Sequence, residues 1–204
     1  MQKIGILGGT FNPIHTGHLM LAEYARDALF LDEVWLMPTG ASYMKDERTI
    51  ASAEDRMNML NLAIEDNEFL KSSDIEIIRQ GNTYTYETME ILVSQYPDTE
   101  FYFITGADCL FSIERWKCPE QIFDACTLVC AVRNGVFVED MEAQKRRLEE
   151  IFGARVVLLS MPNIDISSTD IRNRIREKHS VRYFIPDKVF GYIQDRELYG
   201  YEKV

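Results

Sequence analysis

The sequence has no run approaching eighteen consecutive apolar residues, so it offers no membrane-spanning helix. Its four cysteines, Cys109, Cys118, Cys126 and Cys130, contain no C-x-x-C pair, and the histidines lie far from them, which removes the usual zinc-knuckle arrangement. Cys126 and Cys130 fall on one face of a β-like run, so four reduced, mostly buried thiols in a cytoplasmic protein are expected. Basic charge is in deficit. Lysine and arginine number 22 against 33 aspartates and glutamates, a net charge of −11, which argues against sequence-independent nucleic-acid binding. The stretch Met1–Gly9 is too short an apolar run for a secretory signal and has no cleavage-site pattern. No repeat, low-complexity tract or composition break divides the 204 residues, so a single domain spanning 1–204 is expected.

What is present alternates. Lys3–Leu7, Glu33–Met37, Asp74–Arg79, Glu100–Thr105, Thr127–Val132 and Arg155–Ser160 read as strands. Gly17–Phe30, Ala53–Glu65, Thr85–Gln95, Met141–Phe152, Ser168–Glu177 and Pro186–Asp195 carry apolar residues at helical spacing. The alternation predicts an α/β fold: a Rossmann-like, doubly wound parallel sheet with helices on both faces. Ligands of such sheets bind beyond the carboxyl ends of the strands, where the strand order reverses. The polar segment Thr39–Ala51 reads as a mobile active-site loop.

Two segments carry chemistry. Directly after the first strand comes Gly8-Gly9-Thr10-Phe11-Asn12-Pro13-Ile14-His15-Thr16-Gly17-His18. Glycines at a strand end let the backbone approach a ligand, and Thr16 is expected to cap the following helix. That helix start is a phosphate site, with His15 and His18 able to face one phosphate and donate hydrogen bonds as charge builds. Neither G-x-G-x-x-G nor G-x-x-x-x-G-K-[ST] occurs, so hydride transfer and P-loop hydrolysis lose their motifs. Near the other end, Ser167 or Ser168 caps a helix, and Arg172 one turn in supplies a forked cation suited to phosphate. Two helix N-termini facing one triphosphate is the expected arrangement.

The first segment resembles the G-G-T-F-D-P-x-H-x-G-H signature of the T/H-x-G-H nucleotidylyltransferase superfamily. Ile166-Ser167-Ser168-Thr169-Asp170-Ile171-Arg172 resembles its I-S-S-T-x-I-R motif. Between them, Asn82-Thr83-Tyr84-Thr85-Tyr86-Glu87-Thr88, Ile104-Thr105-Gly106-Ala107-Asp108, Arg115-Trp116 and Ala131-Val132-Arg133-Asn134-Gly135 are similar to segments of bacterial nicotinate-nucleotide adenylyltransferases, as is the ending Tyr192–Tyr199. That resemblance spans essentially the whole chain. It implies transfer of the adenylyl group of ATP to nicotinate mononucleotide, giving deamido-NAD and pyrophosphate, with Mg²⁺ carried by the ATP. By position, it assigns the ATP phosphates to Gly8, Gly9, Thr10, Phe11, His15 and His18. Ser167, Ser168, Thr169 and Arg172 grip the nucleotide from the other side, and Gly106 and Asp108 line the cleft. Thr85 offers its N–H to the nicotinate carboxylate, Trp116 stacks on the pyridine, and Lys45 and Arg133 complete the substrate set. His15, His18 and Arg172 are the implied catalytic groups.

Three departures stand out. Asn12 replaces the family's usual aspartate, so that position need not be ionised. Ser42-Tyr43-Met44 precede Lys45 where the family has P-P-H, and Lys117 stands where a tyrosine commonly follows the tryptophan. At the level of sequence, nicotinamide mononucleotide or another phosphorylated acceptor remains an alternative, as does a non-catalytic nucleotide sensor on the same scaffold.

Overall fold

The computed structural model describes residues 1–40, 50–79, 81–133 and 138–202. Six parallel strands form one sheet: β1 (Gln2–Gly9), β2 (Glu33–Pro38), β3 (Leu70–Ser72), β4 (Thr99–Gly106), β5 (Cys126–Arg133) and β6 (Val156–Met161). Their order is β3-β2-β1-β4-β5-β6, so the winding reverses between β1 and β4. The two strands run in register from Gln2 opposite Thr99 to Leu7 opposite Ile104. Their carboxyl ends, Gly8-Gly9 and Thr105-Gly106, open the crevice in which such sheets bind ligands.

Alternation along the strands divides the core in two. Leu7, Leu36, Ile104 and Val129 turn to one side, where Ala22 and Ala25 of α1 (Thr16–Leu29) and Met59 and Leu60 of α2 (Ala53–Ile64) pack. Ile4, Ile6, Phe101, Phe103 and Leu128 turn to the other and meet α3 (Thr85–Gln95), α4 (Ala107–Ser112), α5 (Pro119–Ala125) and α6 (Val138–Phe152). The first layer is completed by α7 (Ser168–Arg176) and α8 (Asp187–Asp195), through Ile171, Ile175, Val189 and Ile193. Gly5 lies where the core side chains pack closely. A Cβ there would stand 2.7 Å from Ile104 Cδ1 and 2.9 Å from Leu31 Cδ1.

Two expectations need correction. The third strand is Leu70–Ser72, not Asp74–Arg79. Pairing ends where the Ser73 amide donates to Leu36, after which the amides of Ile77 and Ile78 both return to the Asp74 carbonyl and close a turn. The isoleucines of that segment imitate a strand, yet Ile78 is largely exposed. Thr16 does not cap α1 either. His15 holds the extended cap conformation (φ −145°, ψ 167°), and Thr16 is the first helical residue, its hydroxyl donating to the Tyr183 carbonyl at 3.1 Å. Cys126 and Cys130 are buried on one face as expected, and burial pushes both thiols up to about 12. Cys109 and Cys118 are half-buried. Among the described residues no helix is long and apolar enough to cross a membrane.

Candidate active site

Where β1 ends, the chain must pass from strand to helix within six residues. Gly9 is required there because a Cβ would approach the Phe11 ring to 2.9 Å. Phe11 itself lies at φ 47°, a costly region for a bulky residue, and is held by complete burial. Its ring meets the edge of His18 at 4.9 Å between centroids, and His18 stacks on His15 at 3.6 Å. The His18 Nδ1 accepts the His15 backbone N–H at 3.3 Å, so the neutral ring carries its proton on Nε2. That N–H is the donor left for a ligand.

The second motif is fastened to the first by hydrogen bonds that span 155 and 160 residues. Ser167 caps α7, its hydroxyl accepting the Asp170 amide at 3.0 Å. Ser168 donates to the Pro13 carbonyl at 2.9 Å. Arg172 donates to the Asn12 carbonyl at 2.8 Å and to Thr169 Oγ1 at 3.2 Å. Asn12 is buried, and its Oδ1 accepts both the Ala51 amide at 3.0 Å and the Tyr199 hydroxyl at 2.9 Å. Those contacts require an acceptor oxygen, which an amide supplies without a charge.

A cavity of about 790 Å³ lies between the two motifs. All twelve residues assigned to ATP line it: the first motif's Gly8 to Phe11, His15 and His18, the second motif's Ser167 to Thr169 and Arg172, and Gly106 and Asp108 from the end of β4. A second cavity of about 370 Å³ is walled by Thr85, Trp116, Phe103 and Lys117. Both volumes are in the range of small-molecule sites. They share Gly8, Gly9, Thr10, Thr105 and Cys109, so they meet over the glycine turn at the crossover of the sheet.

Burial holds both histidines neutral at pH 7. His15 is lowered to about 4, and His18 falls well below its ordinary value through burial and then the neighbouring His15. The unfolded imidazole titrates near 6.5. Between that value and 4 the unfolded chain binds a proton that the folded chain refuses. Stability is therefore whole above about pH 6.5 and is lost as pH falls toward 4. His15 alone accounts for about 3 kcal/mol across that window. Denaturant titrations at several pH values should show His15→Gln losing this part of the slope; parallel slopes for variant and parent would remove the assignment.

The family model described as cytidylyltransferase-like matches residues 6–174, which takes in both motifs. A probable nicotinate-nucleotide adenylyltransferase of Lachnoclostridium phytofermentans is 41% identical over 98% of this chain and 100% of its own length. One from Dehalococcoides mccartyi is 43% identical over 97% of each chain. The chain belongs to the nicotinate-nucleotide adenylyltransferase family. In fold it is similar to the solved nicotinic acid mononucleotide adenylyltransferase of Plasmodium falciparum complexed with NaAD. That structure has TM-score 0.82 at 20% identity, covering 99% of both chains.

Against this family frame, Lys45 and Ser42–Met44 lie outside the described residues, as does most of the Thr39–Ala51 loop. Arg133 ends β5 opposite Met161, but its side chain lies outside the described set. Two supports were not foreseen. Arg56 is buried on the core side of α2 and donates to the Thr10 carbonyl at 3.0 Å, holding the glycine turn from beneath. Its position one turn before Leu60 was the available signal, a charge on an apolar stripe. Tyr199 was noted only as part of the ending; its hydroxyl reaches Asn12, and burial raises its pKa.

Proposed function

We propose that this chain transfers the adenylyl group of ATP to nicotinate mononucleotide, forming deamido-NAD and pyrophosphate. The observation that carries the reading is the meeting of two cavities over Gly8-Gly9-Thr10. One is framed by helix starts and an arginine fork, the other by an aromatic wall and the first turn of α3. Family membership supports the same chemistry.

ATP occupies the larger cavity, with its phosphates over the start of α1 and Arg172 on the far side. Nicotinate mononucleotide enters the smaller one, its ring against Trp116 and its carboxylate toward the Thr85 N–H. An oxygen of its 5′-phosphate forms a bond to the α-phosphorus of ATP, the α–β bridging P–O bond breaks in line, and pyrophosphate leaves with the electron pair. No side chain becomes a nucleophile. The protein positions two anions and offsets their repulsion. His18 Nε2–H and His15 hydrogen-bond the α- and β-phosphates as charge shifts to the leaving group. Arg172 holds the pyrophosphate, with Lys45 assigned to the same anion. Asp108 reaches a ribose hydroxyl, and Arg133 contributes on the acceptor side.

Mg²⁺ enters as part of the MgATP substrate. Among the described residues no three His, Cys, Asp or Glu side chains gather as a cage. An ion carried by the triphosphate would keep phosphate oxygens and waters as its ligands.

The direct displacement has a stereochemical test. ATP chiral at an α-phosphorothioate should give the dinucleotide with inversion at phosphorus, identified by mass and phosphorus NMR. Retention would require a covalent adenylyl-protein and would overturn the mechanism.

A further inference from the structure

The smaller cavity has an asymmetry of charge that bears on which acceptor it admits. Among the described residues lining it, Lys117 is the one cation and Glu76 the one carboxylate. The Lys117 ammonium sits 4.0 Å from the centre of the Tyr84 ring and 5.5 Å from that of Tyr86. Two ring faces thus hold its position at the mouth of the cavity, on the residue that follows Trp116. Tyr84 is the cap of α3 and supplies no side-chain cap, so the first amides of that helix, beginning at Thr85, face the same space as donors.

The carboxylates nearby already have partners. Glu76 is buried, accepting from Thr88 Oγ1 at 2.9 Å and from Thr83 Oγ1 at 3.3 Å. Glu87 accepts from the Tyr86 hydroxyl at 2.9 Å, is paired with Arg79, and also lies within electrostatic reach of the Lys117 ammonium, which itself bonds the Tyr86 hydroxyl; Arg79 also donates to Thr88 at 3.0 Å. The pyridine substituent of a bound acceptor would therefore meet donors: helix amides on one side and an ammonium on the other. A carboxylate satisfies both. A carboxamide has one acceptor oxygen, and its NH₂ group would be set against donors.

The geometry points to Lys117 as a specificity-determining residue that selects a pyridine carboxylate over the corresponding carboxamide. This rests on the adenylyl-transfer reading and adds to it a side chain that acts on the choice of acceptor. Because Lys117 is exposed, its pull is screened by solvent and salt, and the discrimination it supplies is about tenfold.

The test measures kcat and KM with saturating MgATP for nicotinate mononucleotide and nicotinamide mononucleotide separately, in the parent, Lys117→Met and Lys117→Arg. The expected result is an acid-to-amide ratio of kcat/KM about tenfold lower in Lys117→Met, with the loss in KM for the acid. Lys117→Arg should restore most of the ratio. Added salt should lower the parent's ratio and leave that of Lys117→Met nearly flat. A ratio equal to the parent's in Lys117→Met overturns the inference and leaves the reaction standing. So does a parallel fall with both acceptors that arginine does not rescue, which marks a structural role. A parent that reacts with neither acceptor overturns the proposed reaction, and the inference falls with it.

Discussion

Replacing His18 by alanine is expected to lower kcat about 10²- to 10³-fold while the fold is retained, the usual cost of one aligned donor at a developing charge. His18 is fixed from three directions: the His15 amide on Nδ1, the His15 ring in a stack, and the Phe11 ring at its edge. Only its Nε2–H remains to meet the substrate, so little reorganisation is needed when charge moves onto the phosphates. His18→Asn, which can place an amide N–H in part of the same space, should recover some of the loss. The measurement is steady-state turnover beside circular dichroism and a melting curve. Turnover within a few-fold of the parent would remove His18 from the chemistry.

The second large effect belongs to Arg172. Its guanidinium joins the two motifs, donating to the Asn12 carbonyl and to Thr169 Oγ1 while lining the larger cavity. Arg172→Met should therefore lower kcat/KM for MgATP by about 10²-fold or more and also destabilise the fold by about 1–3 kcal/mol, since Asn12 loses a charged donor. Lysine keeps the charge but lacks the fork, and cannot serve Asn12, Thr169 and a phosphate together. Arg172→Lys should recover part of the stability and little of the activity. Kinetics and denaturant unfolding on both variants separate the two roles. A methionine variant with parental kcat/KM would show that the arginine is purely a strut.

Much of this site was legible before the fold was known because its chemistry is local. The glycine turn, the two histidines and the Ser-Ser-Thr helix start each lie within one short segment, and strand-then-helix order places them at sheet ends. Five strands are recovered to within about two residues because their apolar runs pair with well-defined neighbours. The misplaced strand at 74–79 has the right composition, but what ends β3 is the chain's return to the Asp74 carbonyl, a turn that periodicity does not encode. The helices α4 and α5 are six and seven residues long, too short to show a repeating stripe, and they follow Gly106 and Cys118 without a side-chain cap. Arg56 and Tyr199 act over separations of 46 and 187 residues, so their partners appear only once the sheet is assembled.

In the proposed reaction, two cavities meeting over one glycine turn bring ATP and a pyridine ribotide phosphate into line. Pyrophosphate release from MgATP, followed with nicotinate mononucleotide, with nicotinamide mononucleotide and with neither, tests it most directly. The expected result is release that requires an acceptor, is faster with the acid, and is matched mole for mole by deamido-NAD. Tight ATP binding with no acceptor-dependent release of pyrophosphate would contradict it and leave a nucleotide sensor on the same scaffold.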